Sequence, residues 1–170
     1  MSDEQRKAAL DLEWTGVVDR IAGRCVSEPG ALYVRSLEPA ATLEEARERA
    51  GLVREAAALL AEGAPIPVAA LPDTAELLDR VTRGTVATGP ELATLRRLLD
   101  AARVLRAFAA THREARPILA AALTTDRGLD RLSDELANAV GDDGEVLDRA
   151  SSELARARKK TSDIRRELAS

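Results

Sequence analysis

The sequence predicts an all-α fold, a multi-helix bundle carrying one short β-hairpin near residues 139–147. Three observations predict it. Of the 170 residues, 33 are alanine and 24 leucine against 11 valine and 4 isoleucine, so the strongest helix formers dominate the apolar set. Apolar residues recur at three- and four-residue steps through most of the chain. Capping residues, glycines and prolines punctuate it at helix-length intervals. A chain of this length buries roughly 70% of its unfolded surface, enough for one domain or two small ones.

Composition also excludes several classes. The 32% charged fraction is mixed with leucine throughout, unlike a disordered chain. Apolar runs fall far short of the roughly 20 residues of a membrane span, and Met1-Ser2-Asp3-Glu4 is acidic, unlike a secretion signal. The single cysteine leaves no internal disulfide and no cysteine-rich zinc site, which fits the cytoplasm.

The elements follow in order. Leu10, Trp14, Val17, Val18, Ile21 and Cys25 line one helix face, with Trp14 as a core anchor. Ser27 caps a short helix that Pro39 ends. Thr42 and Glu45 form a capping box for a helix from Leu43 that Gly63 terminates in a left-handed turn. Pro65, Pro67 and Pro72 keep 64–72 extended. Asp73 caps a helix over 74–83, and Gly84 follows it. Thr88 and Glu91 repeat the box for the longest helix, whose stripe of Leu92, Leu95, Leu98, Leu99, Ala102, Leu105 and Ala109 runs on to about Glu114. Short helices follow around Ile118–Leu123 and Leu129–Leu136. Asp143-Gly144, set between Val140 and Val146, carries the hairpin signal. Ser151 caps a last helix whose Leu154, Ala157, Thr161, Ile164 and Leu168 form a narrow seam, like one strand of a coiled coil. That helix reaches Ser170 without a cap, so it is expected to protrude and to be cut in mid-helix. Three stretches result: 1–63 as an N-terminal helical subdomain, 64–148 as a core bundle with the hairpin, and 149–170 as the protruding helix.

Charge changes at the last boundary. Residues 149–170 carry a net +4 and residues 1–148 a net −8. Arg156, Arg158, Lys159, Lys160, Arg165 and Arg166 are therefore the candidate nucleic-acid contacts, because cations along a helix neutralise phosphates and release counterions. The same side chains also suit a solvated, ion-paired helix face or a coiled-coil flank. The remaining candidates read as structure. His112 and Cys25 stand 87 positions apart with no further histidine or cysteine, too few for a zinc site. His112 then reads as a surface histidine at a helix end and Cys25 as a buried thiol. Asp142, Asp143 and Glu145 lack the alternating ligands of a calcium loop and read as the turn.

The run Asp142-Asp143-Gly144-Glu145-Val146-Leu147-Asp148, then Ala150-Ser151, Glu153-Leu154-Ala155 and Arg158, resembles the hairpin and lever-helix entry of the MutS-two proteins. These are bacterial paralogues of the mismatch-repair ATPase MutS that usually carry a C-terminal Smr endonuclease. Leu12-Glu13, Val17-Val18, Leu37-Glu38-Pro39, Leu43-Glu44-Glu45 and Leu71-Pro72-Asp73 fall in the same family's order, so the resemblance covers essentially the whole chain. Ser152 departs from it, standing where that family leads one to expect proline. The resemblance implies a core/lever segment that relays the state of a P-loop ATPase to a DNA-binding clamp. In the full-length family member it implies homodimerisation, bound ATP and Mg, and action on branched DNA or on the ribosome and its rRNA. The roles implied are suppression of recombination and rescue of stalled ribosomes. The segment itself has neither the Gly-x-x-x-x-Gly-Lys-Ser/Thr phosphate cradle nor the His-Gly pattern of the nuclease, since Arg113 follows the only histidine. It is thus expected to be non-catalytic, with no cofactor, metal or membrane partner of its own. The alternative is a self-contained helical adaptor that binds protein partners through an apolar groove.

Overall fold

The computed structural model describes residues 3–68 and 71–168, with side chains from residue 6 onward. Among them the fold is all-α. Its helices are α1 (Asp3–Asp11), α2 (Trp14–Ala22), α3 (Glu28–Arg35), α4 (Leu43–Ala61), α5 (Ala75–Thr82), α6 (Gly89–His112), α7 (Pro117–Ala122), α8 (Gly128–Ala139) and α9 (Ser152–Leu168), with a 3₁₀ turn at Asp148–Ala150. The expected chain end at Ser170, like Ala69 and Ala70 of the extended stretch, lies outside the described residues.

Three helix starts, those of α3, α4 and α9, carry the side-chain caps the sequence predicts. Ser27 Oγ accepts from the Gly30 N–H at 3.3 Å, and Thr42 Oγ1 accepts from the Glu45 N–H at 3.1 Å. Glu45 closes its box one residue early, on the Ala41 N–H at 2.8 Å. Gly63 and Gly84 take φ values of +73° and +91° just past α4 and α5. Ser151 Oγ accepts from the N–H groups of Glu153 and Leu154, at 3.2 and 3.1 Å. One cap moves. Thr74, not Asp73, occupies the N-cap position of α5, and its hydroxyl makes no capping bond.

The first apolar stripe is not one helix. Glu13 adopts φ +50°, ending α1 and starting α2 within two residues. A left-handed turn at a non-glycine residue costs about 1–2 kcal/mol. It is held by the Trp14 indole, which donates to the Leu37 carbonyl at 2.8 Å and ties α2 to the chain beyond α3. The stripe is correspondingly only part of the core: Val18 is buried, while Leu10, Val17 and Ile21 are exposed and Trp14, expected as a core anchor, is half-buried. Cys25, expected to be buried, is only half-buried, its thiol donating to the Ile21 carbonyl at 3.7 Å.

The expected β-hairpin is corrected. No strand forms among the described residues; Val140 and Val146 pair in a single antiparallel bridge. The Gly141 N–H donates to the Glu145 carbonyl, and the Leu147 N–H to the Ala139 carbonyl, both at 2.8 Å. The turn signal at Asp143-Gly144 is real, and Gly144 sits at φ +84°. The flanks leave no room for strands: α8 runs to Ala139 and the 3₁₀ turn begins at Asp148.

Packing divides the chain into two units, residues 1–73 with 101–125, and residues 74–100 with 126–170. Neither is a consecutive stretch, and α6 contributes its first half to the second unit and its second half to the first. In the first unit α2 packs on α3 and α4 on α7. Its core comprises Val18, Ala22, Leu59, Ala109, Leu119 and Ala120. Gly51 lets α7 approach α4, because a β-carbon there would lie 2.7 Å from Ile118 Cδ1. In the second unit the core is Leu77, Ala93 and Val140, with buried Thr74 and Ser133. The Ser133 hydroxyl donates to Asp100 at 2.7 Å, which satisfies it.

Candidate nucleic-acid interface

The six basic candidates stand on α9, which buries none of its described side chains. Its packing is on the 3₁₀ turn at its root. At about 100° per residue, an α-helix sorts them into two sets. Arg156, Lys159, Lys160 and Arg166 share one arc. Arg158 and Arg165 lie on the far side, along the edge of the seam formed by Leu154, Ala157, Thr161, Ile164 and Leu168. The structure therefore does not bring the six together.

The acids fall on the first arc. Asp163 and Glu167 are interleaved with Arg156, Lys159, Lys160 and Arg166, and Glu153 flanks Lys160 at the arc's edge. Arg166 pairs with Asp163 at 3.1 Å, and Arg156 Nε donates to the Ser152 carbonyl at 3.2 Å. On the other side Arg158 pairs with Asp148 of the 3₁₀ turn at 2.7 Å. Lys159, Lys160 and Arg165 form no ion pair among the described residues.

Below α9, Arg149 is held by backbone oxygens. Its Nε donates to the Asn138 carbonyl at 3.1 Å and its Nη2 to the Ala137 carbonyl at 2.9 Å. Cations are favoured there, at the C-terminus of α8. The acidic turn is structural. Arg96 grips it from α6, donating to the Val140 carbonyl at 3.0 Å and pairing with Asp142. The Glu145 N–H donates to Asp143 Oδ1 at 3.0 Å.

His112, expected at the surface, is half-buried. Its ring lies 4.1 Å from that of Phe108, and its Nδ1 is 2.9 Å from the Phe108 carbonyl. Among the described residues, no group of three histidine, cysteine or carboxylate side chains is placed to hold a metal ion. Nor is any helix long and apolar enough to cross a membrane.

No family model matches the chain, and no solved structure matches it. Curated proteins do. The endonuclease MutS2 of Thermomicrobium roseum is 30% identical over 160 residues, 92% of this chain and 20% of that protein. The MutS2 of Gemmatimonas aurantiaca is 33% identical over 152 residues, 87% of this chain and 19% of its own length. The chain is a MutS2 relative. The endonuclease MutS2 of Synechocystis agrees, at 30% identity over 160 residues and 92% of this chain. The chain spans about a fifth of the length of the MutS2 proteins it matches.

Proposed function

We propose that this chain is the helical core and first lever segment of a MutS2-type protein, a non-catalytic part that transmits rather than reacts. The observation that carries this reading is α9, a continuous 17-residue helix that buries no described side chain. At 1.5 Å per residue it is a rod of about 25 Å rooted at one end. A rod so rooted moves as one body, relaying the state of a P-loop ATPase, holding ATP and Mg, to a nucleic-acid clamp. The basic residues of α9 then approach branched DNA or the ribosome. In the whole cytoplasmic protein, a homodimer with an Smr endonuclease, this relay serves suppression of recombination and rescue of stalled ribosomes.

A chimera tests the relay. This chain replaces the matching fifth of a MutS2 relative, and stimulation of ATP hydrolysis by branched DNA or ribosomes is measured. Stimulation is expected to survive the graft and to disappear when Gly-Gly-Pro, which breaks a helix, is inserted after Ala157. Stimulation that survives the insertion refutes transmission through α9.

A second reading, a helical adaptor, is favoured by one observation. The first unit has an apolar groove of about 470 Å³ lined by Cys25, Val26, Leu60, Pro65, Ile66 and Val68 among others. Loss of function in the chimera on Leu60→Asp, with the Gly-Gly-Pro insertion tolerated, would favour the adaptor.

A further inference from the structure

Two shallow depressions adjoin in the second unit. One, of about 470 Å³, is lined by Asp148, Arg149 and Arg158 with Glu145 at its rim. The other, of about 450 Å³, lies along α9 and is lined by Arg158, Thr161, Ser162 and Arg165. Arg158 belongs to both, so they form one furrow with three arginines along it. Arg158 and Arg165, two turns apart, stand about 10 Å from one another along the helix axis.

This furrow differs from the Arg156–Arg166 arc in two respects. No acid of α9 lies on its side of the helix; the acids present are Glu145 and Asp148 at its lower end. Two of its guanidinium groups are also oriented in advance, Arg149 by the carbonyls of Ala137 and Asn138 and Arg158 by Asp148. A guanidinium already held in place loses less rotamer freedom on meeting a phosphate than a free lysine does. Arg149 is held by neutral carbonyls, so its charge is left for a ligand.

We propose that Arg149, Arg158 and Arg165 carry the contact, and that the ligand is the phosphate backbone of a nucleic-acid duplex. The proposal rests on the nucleic-acid reading above and narrows it to one face. Trp14, Tyr33 and Phe108, the chain's aromatics, all belong to the first unit, so the furrow has no platform on which single-stranded bases stack. Of its hydroxyls, Thr161 donates to the Ala157 carbonyl and Ser162 accepts from Arg166. It therefore offers charge along a groove, which reads the phosphates of a duplex and not its bases.

The experiment is a fluorescence-anisotropy titration of the 170-residue chain with duplex DNA and duplex RNA of the same sequence, across a series of salt concentrations. Three phosphate contacts give a slope of log K against log salt near about −2.7. R165Q, which disturbs no described ion pair, is expected to reduce that slope by about 0.9 without moving the melting temperature. R149Q/R158Q/R165Q is expected to weaken binding by about tenfold or more, and R156Q/K159Q/K160Q/R166Q by no more than about threefold. The DNA and RNA arms show which duplex the furrow prefers, and the proposal is overturned if R165Q leaves slope and affinity unchanged on both, or if the quadruple variant is the one that loses binding. Absence of any binding at the lowest salt refutes the nucleic-acid reading itself, and the furrow with it.

Discussion

The N–H of Leu119 donates to the Glu55 carboxylate at 2.7 Å, across 64 residues of sequence. Glu55 thereby does for the first turn of α7 what an N-cap residue does locally, since Arg116, at that position, makes no side-chain capping bond. The same face of α4 buries Leu59 and pairs Glu62 with Arg116. Glu55→Ala is expected to destabilise the first unit by about 1 kcal/mol, with Glu55→Gln recovering part of the loss. Urea unfolding followed by circular dichroism checks it; no loss in Glu55→Ala would show that the capping bond contributes nothing.

A second expectation concerns acid. Glu91 accepts from the N–H and hydroxyl of Thr88 and pairs with Arg80, joining the start of α6 to α5. The Thr88 N–H, then Arg80, hold its carboxyl down at about 2. A lowered folded-state value means that the ionised form stabilises the fold above the unfolded carboxylate's ordinary value, near about 4.3. That stability declines as the pH falls from there toward about 2. Melting temperatures of wild type and Glu91→Gln should therefore differ most at neutral pH and converge near the acid end. A constant gap at every pH would assign the effect to shape, not charge.

Gly144 makes a third prediction. Its φ is +84°, and a β-carbon would lie 2.6 Å from Pro90 Cα, at the start of α6. Strain and steric overlap combine, so Gly144→Ala is expected to cost about 2–3 kcal/mol. Gly63, at φ +73° in open space, meets strain alone, and Gly63→Ala should cost about 1 kcal/mol. Thermal melts of the two variants settle the comparison; equal costs would mean that the turn yields to Pro90 freely.

Ser133 provides the fourth. It is 1% exposed, and its hydroxyl donates to Asp100. Ser133→Ala removes that bond and leaves Asp100 open to solvent on one side, so a loss of about 1 kcal/mol is expected in chemical denaturation. Ser133→Val, which fills the space without a donor, should cost more if packing is as tight as the burial indicates.

The local chemistry of this chain was legible from its letters. Ser27, Thr42 and Ser151 cap helix starts as their types and spacing imply, and Glu45 and Glu91 reach back across theirs, because a cap is a bond between residues two to four apart. Gly63 and Gly144 take the left-handed turns assigned to them, for the same local reason, and Gly84 takes one too. The periodicity that places α6 and α9, and the order of motifs that points to MutS2, are likewise properties of the sequence.

What only the tertiary structure decided depends on contacts distant in sequence. The break at Glu13 carries no glycine or proline signal and is held by Trp14 reaching Leu37. Each unit is assembled from two segments that are not adjacent in sequence, which no local pattern encodes. A list of basic residues did not reveal that the acids of α9 share an arc with four of them, nor that Arg149 lines one furrow with Arg158. Capping and turn geometry act over a few residues and are written locally. Burial and the pairing of charges act over tens of residues and are settled only when the chain has closed on itself.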